Sequence, residues 1–136
     1  MKEQIDEDNM IRLLLVDDQL VVRRGLRLRF QLEPDMQVVG EASTGMEALT
    51  LAQTLSPDVV LMDIEMPDMD GIETTVALRT TVSQIAVVIL SIHVDMQTRE
   101  RAQAAGAVAF VEKRGVTDTL LSAIRQAAAQ AGKSLE

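Results

Sequence analysis

Four polar sites each close an apolar run in this chain. Leu13-Leu14-Leu15-Val16 leads into Asp17-Asp18, and Val59-Val60-Leu61-Met62 into Asp63. Val87-Val88-Ile89-Leu90 leads into Ser91, and Ala109-Phe110-Val111-Glu112 into Lys113. If the runs are parallel strands, their carboxyl ends share one edge of a sheet, where open α/β folds bind ligands. Three carboxylates, a hydroxyl and an ammonium in one crevice suit a divalent cation beside a phosphoryl group. Hard oxygen donors match Mg²⁺, with Mn²⁺ as the alternative; Mg²⁺ takes one or two carboxylates, waters and phosphate oxygens. An Asp at a strand end is either a satisfied cap or a nucleophile able to form an acyl phosphate. Crowded carboxylates repel, so without a cation at least one should hold its proton to higher pH. Each site also has a plain structural reading: an Asp pair opening a turn or capping a helix, a serine making a turn bond, a lysine in solvent, a phenylalanine in the core. The joint pattern, rather than any member of it, favours a phosphoacceptor.

Alternating strand and helix patterns must position these residues. Ile11–Val16 reads as a strand, and residues 20–32 as a helix on the spacing of Val22, Leu26 and Phe30. Met36–Ala42 reads as an edge strand. Thr44-Gly45-Met46-Glu47 has the form of a capping box opening a helix to Leu55. Ser56-Pro57-Asp58 is a turn, and 59–62 an uninterrupted apolar run of the kind found in central strands. After a loop over 66–71, Asp70 and Glu73 can cap a helix to about residue 80. Residues 86–90 form another buried strand, and 96–105 a helix closed by Gly106. Ala109–Glu112 is the fifth strand, and 116–131 the last helix. Strands separated by helices imply right-handed crossovers and a parallel sheet covered on both faces.

The chain has 136 residues, the length of one domain, expected over 11–131. Residues 1–10 form an acidic, polar tail with no apolar segment of a signal peptide. Residues 132–136 read as a tail or the start of a linker, and the terminal Leu-Glu has the form of a cloning remnant. No run is long enough to span a bilayer, and the absence of cysteine fits a cytoplasmic protein. A formal charge of −8 disfavours direct nucleic-acid binding, and two aromatics, Phe30 and Phe110, make no base-stacking platform.

Over residues 11–131 the chain resembles the receiver domain of bacterial two-component response regulators. The matching stretches are Leu15-Val16-Asp17-Asp18, Leu61-Met62-Asp63-Ile64-Glu65-Met66-Pro67-Asp68-Met69-Asp70-Gly71, and Ala105-Gly106-Ala107 leading to Phe110 and Lys113. The resemblance implies a flavodoxin-like sheet of order 2-1-3-4-5 with five helices. It implies phosphorylation of Asp63 by a sensor histidine kinase. Asp18, Asp63 and the backbone carbonyl of Glu65 would ligate Mg²⁺, with Asp17 acting through a metal-bound water. Lys113 would clamp the phosphoryl group, Ser91 would report it, and Phe110 would swing inward in concert. The chain would catalyse no reaction beyond its own phosphoryl transfer and autodephosphorylation.

Arg23-Arg24-Gly25-Leu26 and the run 33–42 resemble the NarL/FixJ-type subfamily, whose members carry a C-terminal DNA-binding domain. That resemblance implies transcription regulation through a domain absent from this chain, and allows for a homodimer. The arginines of the first helix read as a solvated face; family members also use this helix to dock on the kinase. His93 reads as a surface residue, although it and Glu65 occupy positions that tune phosphoryl lifetime in the family. The methionines read mostly as core filler. Ile92, where the family prefers a small residue, is expected to narrow phosphoryl access, and Arg114 stands where many receivers carry Pro. A constitutive interaction module, a haloacid-dehalogenase-like phosphatase and a nucleotide-binding Rossmann enzyme are the competing classes. The second lacks its partner Asp two residues on, and the third its glycine-rich fingerprint.

Overall fold

The computed structural model describes residues 10–66, 68–82 and 84–131. The C-terminal tail and all of the N-terminal tail but Met10 lie outside the described residues. In chain order the elements are β1 (Ile11–Val16), α1 (Leu20–Phe30), β2 (Met36–Ala42), α2 (Gly45–Leu55), β3 (Val59–Asp63), α3 (Gly71–Thr81), β4 (Ala86–Ser91), α4 (Met96–Ala104), β5 (Ala109–Glu112) and α5 (Asp118–Gln130). The strands pair in parallel in the order β2-β1-β3-β4-β5, the flavodoxin-like order expected.

The apolar runs are continuous because both sheet faces are covered. Successive side chains alternate between faces. Leu13, Leu15, Leu61, Val88 and Leu90 pack with Leu26 and Phe30 of α1 and Leu120 and Ile124 of α5. Leu14, Val16, Val60, Met62, Val87 and Ile89 pack with α2, α3 and α4 through Ala48, Ala52, Leu78 and Ala102. β2 is an edge, as expected. Its register steps from Leu13↔Val38 to Leu14↔Gly40, so Val39 is an extra residue, a bulge that disfavours pairing with another chain.

Several helix boundaries differ from expectation for local reasons. α1 stops at Phe30 because the chain tightens: Leu32 N–H donates to the Arg29 carbonyl at 3.1 Å, and Glu33 N–H to that of Phe30 at 3.0 Å. α5 begins at Asp118 because the Thr117 hydroxyl caps it, accepting from Leu120 N–H at 3.1 Å. At α2 the Thr44 hydroxyl accepts from Glu47 N–H as a capping box requires, but the Glu47 carboxylate reaches back to Ser43 N–H at 2.7 Å instead of Thr44. Gly106 closes α4 in the left-handed region at φ +103, with Ala107 N–H donating to the Ala102 carbonyl. Only Met36 and Met62 are buried methionines among the described residues; Met46 and Met96 are exposed, so the core-filler reading holds for the minority.

Gly25 lies in the middle of α1, where a Cβ would meet nothing within 4 Å. The helix gives up about 0.5–1 kcal/mol relative to alanine there, with no steric return inside the fold.

A charge network ties α5 to the turn before β2. Arg125 Nε and Nη2 donate to the two Asp35 oxygens at 2.8 and 3.1 Å, and Nη2 also donates to Glu33 at 3.0 Å. The hydrogen bond from Arg125 holds the Asp35 carboxyl below its usual range despite partial burial. Because that pKa is depressed on folding, its stabilisation is present above the unfolded value and is lost as pH falls through the folded one. Arg125→Ala is expected to lower unfolding free energy by on the order of 1 kcal/mol at neutral pH in urea denaturation. The difference should narrow as pH drops below about 4; a gap independent of pH would show that packing of the arginine stem, not charge, is what was lost.

Candidate functional site

Parallel register brings four strand ends to one edge. Val16 pairs with Met62, Asp63 with Leu90, and Ser91 with Glu112. Asp63 and Ser91 are the last residues of β3 and β4, each one residue further into its strand than expected. Main-chain bonds hold the neighbours in place: Asp17 N–H donates to the Ala42 carbonyl at 3.0 Å, and Lys113 N–H to that of Ser91 at 2.9 Å. Behind Asp63 the chain turns back so tightly that Gly71 N–H reaches the Ile64 carbonyl at 2.7 Å. A Cβ at Gly71 would collide with the Asp63 carbonyl oxygen, so this approach requires glycine.

Asp17, Asp18 and Asp63 each present a carboxylate oxygen within 4.8 Å of the others. Asp17 and Asp63 are buried and Asp18 is exposed. Asp17 Oδ1 accepts from Gln19 N–H at 2.9 Å, which makes the pair a turn; the N-cap of α1 is Gln19, with no side-chain cap. Lys113 Nζ lies 2.6 Å from Asp17 Oδ2 and 3.4 Å from Asp63 Oδ1. The lysine is therefore shared, and its closer partner is Asp17.

That unequal sharing sets the electrostatics. Burial first, then the charge of Asp17, push the Asp63 carboxyl up to about 6, against the opposing pull of Lys113. Burial lowers the Lys113 ammonium, but its hydrogen bond to Asp17 and the charges of Asp63 and Asp17 outweigh burial and raise it. Repulsion among uncompensated carboxylates was the expectation, and Asp63 is the member that carries it. Three hard oxygen donors in reach of one point are a donor set that fits a small divalent cation.

Asp18, Asp63, Glu65, Ser91 and Lys113 line one open cleft of about 830 Å³. Ser91 is buried, and its Oγ accepts from His93 N–H at 2.9 Å, the local turn bond that serines commonly make. Phe110 does not line the cleft. It is half-buried, with the Arg99 guanidinium carbon 4.8 Å from its ring centroid. Ile92 is 63 % exposed at the rim.

Two contacts were not legible beforehand. His93 is exposed as expected, yet its Nε2 lies 2.9 Å from Glu65 Oε2, joining the loops after β3 and β4. The Asp68 oxygens accept from Gly45 and Met46 N–H at 3.1 and 3.2 Å, which ties the loop after Asp63 to the start of α2. Asp68 sits within a recognisable stretch, but nothing local points to a partner on another helix. A carboxylate at a helix N-terminus is favoured by the exposed N–H groups and the dipole.

A family model described as the response regulator receiver domain matches residues 13–125. The chain belongs to that family, a signalling domain. It is 41 % identical over 118 residues to the transcriptional regulatory protein LiaR of Bacillus subtilis (strain 168), covering 87 % of this chain and 56 % of LiaR. It is 34 % identical over 125 residues to DegU of Brevibacillus brevis, covering 92 % and 52 %. The chain thus spans about half the length of the curated relatives it matches. Among solved structures, the receiver domain of NarL from Mycobacterium tuberculosis superposes with TM-score 0.83 at 30 % identity, covering 89 % of this chain and 98 % of that one. The receiver domain of CheB from Thermotoga maritima gives 0.79 at 37 %, covering 88 % and 97 %. These likenesses agree with the NarL-type resemblance. No helix among the described residues is long and apolar enough to cross a membrane.

The raised Asp63 pKa has a consequence for stability. A carboxyl whose pKa rises on folding favours the fold fully below its unfolded value, near 4, and that contribution is lost as pH climbs through about 6. In EDTA, Asp63→Asn should therefore be more stable than the parent at pH 7.5, by on the order of 1–3 kcal/mol. The two should converge near pH 4. Urea denaturation across that range checks it, and parallel curves would remove charge strain from the account.

Proposed function

We propose that Asp63 accepts a phosphoryl group from a phosphohistidine of a sensor histidine kinase, and that the acyl phosphate switches the chain between two states. The observation that carries this reading is the meeting of Asp63 with Asp17, Asp18 and Lys113 at the carboxyl edge of the sheet. An Asp63 carboxylate oxygen attacks phosphorus, the bond from phosphorus to the imidazole nitrogen breaks, and the leaving imidazole takes up a proton from water. Asp18, Asp63 and the Glu65 backbone carbonyl hold Mg²⁺ (Mn²⁺ as a substitute), with Asp17 acting through a bound water. When bound, the ion offsets negative charge on the transferring group. Lys113, beside Asp17 and Asp63, supplies a second cation, a compact donor suited to phosphate. Burial of Asp63 and Asp17 excludes bulk water and strengthens these interactions.

In this reading Ser91 and Phe110 convert charge into shape. The Ser91 oxygen already accepts from His93 N–H, which leaves its proton to donate to a phosphoryl oxygen. Movement of Ser91 toward that oxygen opens space for the Phe110 ring, which must leave its stack under Arg99, a contact worth about 0.5–1 kcal/mol at an exposed site. Ile92, at the rim, slows entry of small donors. The autodephosphorylation of the acyl phosphate resets the switch in the cytoplasm. The proposed output is transcription, through a C-terminal DNA-binding domain outside this chain. It is supported by LiaR, a transcriptional regulatory protein, and by the LuxR-family DNA-binding regulator of Staphylococcus aureus, whose structure superposes at 26 % identity with TM-score 0.80. The net charge of −8 supports leaving DNA contact to another domain. A homodimer of the phosphorylated form belongs to the same proposal.

Incubation with acetyl phosphate and Mg²⁺, read by intact-mass spectrometry, should add one phosphoryl group to the parent chain, none to Asp63→Asn, and none in EDTA. Asp18→Asn should weaken Mg²⁺ binding by about tenfold or more, ~1.4 kcal/mol. Labelling of Asp63→Asn to the parental level would take Asp63 out of the acceptor role. Absence of Mg²⁺ binding by the parent would favour a constitutive interaction module instead.

A further inference from the structure

Asp18 is exposed, and no hydrogen bond or ion pair holds its carboxylate among the described residues. Asp17 before it is pinned at each polar atom. Its N–H donates to the Ala42 carbonyl, its Oδ1 accepts from Gln19 N–H, its Oδ2 meets Lys113, and its carbonyl accepts from Arg23 Nη1 at 2.7 Å. A carboxylate without contacts of its own stands where its backbone puts it. For Asp18 that backbone is fixed from α1. Arg23 holds the carbonyl before Asp18 through its side chain, and its main-chain N–H donates to the Gln19 carbonyl after Asp18 at 3.2 Å. One residue thus grips the chain on both sides of Asp18.

Arg23 is itself aimed. Its side chain is only 13 % exposed, and its Nε donates to Glu41 Oε1 at 3.0 Å. Glu41 stands in β2 in register with Leu15, one residue before the Ala42 that holds Asp17 N–H. The other Glu41 oxygen takes Arg27 Nε, but Arg27 makes no hydrogen bond to the Asp17-Asp18 turn. The guanidinium fork lets one side chain serve Glu41 and the Asp17 carbonyl at fixed geometry, which a single point donor cannot do. By charge alone, an arginine beside a cation site opposes the cation. What Arg23 gives the site is position. We infer that Arg23 is a positioning residue for the divalent cation: by holding the Asp17 carbonyl, with Glu41 as its brace, it sets where Asp18 presents its carboxylate beside Asp17 and Asp63. This rests on the metal-ligand reading of Asp18 and adds to it the residue, on another element, that makes the ligand set converge. Groups that orient metal ligands in this way are worth about 10–100-fold in affinity.

The test compares Arg23→Met and Arg27→Met by calorimetric Mg²⁺ titration. Each variant removes one positive charge and one bond to Glu41; only the first releases the Asp17 carbonyl. Loss of charge alone would tighten Mg²⁺ binding in both. Arg23→Met should instead raise the Mg²⁺ Kd by about tenfold or more, while Arg27→Met stays at the parental value or below it. Arg23→Gln, too short to span both acceptors, should weaken binding as Arg23→Met does, and it carries the test if the methionine variant does not fold. A second readout needs no metal. In EDTA, amide hydrogen exchange at Gln19 should quicken by about fivefold or more in the Arg23 variants, relative to core amides of β1, and not in Arg27→Met. Parental Mg²⁺ affinity in the Arg23 variants, or equal weakening in Arg27→Met, would overturn the inference and leave Asp18 as a ligand. Absence of Mg²⁺ binding by the parent chain would reject the metal reading itself, and this inference with it.

Discussion

The sharing of one ammonium between two members of a cluster of three carboxylates governs this molecule. Lys113 is held 2.6 Å from Asp17 and 3.4 Å from Asp63. Two like charges about 5 Å apart repel by roughly 3 kcal/mol at an effective dielectric near 20, so one cation cannot quiet all three. Asp17, the more deeply buried, takes the shorter bond. Asp63 is left with burial and repulsion that its longer contact to Lys113 does not offset, which is why its carboxyl holds a proton up to about 6. A group in that condition gains most from any added positive charge. The electrostatic strain thus falls on Asp63, and the backbone around it keeps it there.

Keeping it there is a matter of backbone. A side chain can rotate away from repulsion; a strand end fixed by parallel pairing on both sides cannot move far. β3 is bracketed by β1 and β4, and its last residue is still in register with Leu90. Gly71 closes behind it, and Asp68 ties the following loop to α2 at Gly45 and Met46. Neither the turn at Gly71 nor the Asp68 tether adds a carboxylate to the Asp17, Asp18 and Asp63 cluster, yet both hold the loop that carries Glu65 behind Asp63. The Glu65–His93 pair extends the same logic to the opposite loop, on the solvent side, where an ion pair between exposed groups is weak and easily opened.

What could be read from the amino acids alone follows from what is local. The parallel strands and the convergence of Asp17, Asp18, Asp63 and Lys113 were legible because uninterrupted apolar runs mark strands covered on both faces and each run ends at its polar residue, whereas the strand order came from the family resemblance alone. Helix limits set by one hydroxyl were not: Thr117 caps α5 two residues later than the apolar pattern alone implies. Glu47 choosing Ser43 over Thr44 is a difference of one residue that no pattern encodes. The preference of Lys113 for Asp17 was invisible for a deeper reason, since it depends on the relative burial of two carboxylates, a property of the assembled sheet. Arg125 bridging to Asp35 joins residues 90 apart in sequence and was equally out of reach.

The arginines of α1 show how a reading can be right in kind and incomplete in content. A solvated basic face was one expectation and a docking surface the other. Three of the four arginines are spent within the chain, on Glu41 and Glu33, so the basic character of α1 is mostly neutralised before any partner arrives. What remains presented to solvent is one free arginine beside apolar side chains and a gap at Gly25. Exposed ion pairs of this kind contribute little to stability, so the helix is held chiefly by its inner residues, Leu26 and Phe30, packed in the core, while Val21 and Leu28 stand exposed on its other side.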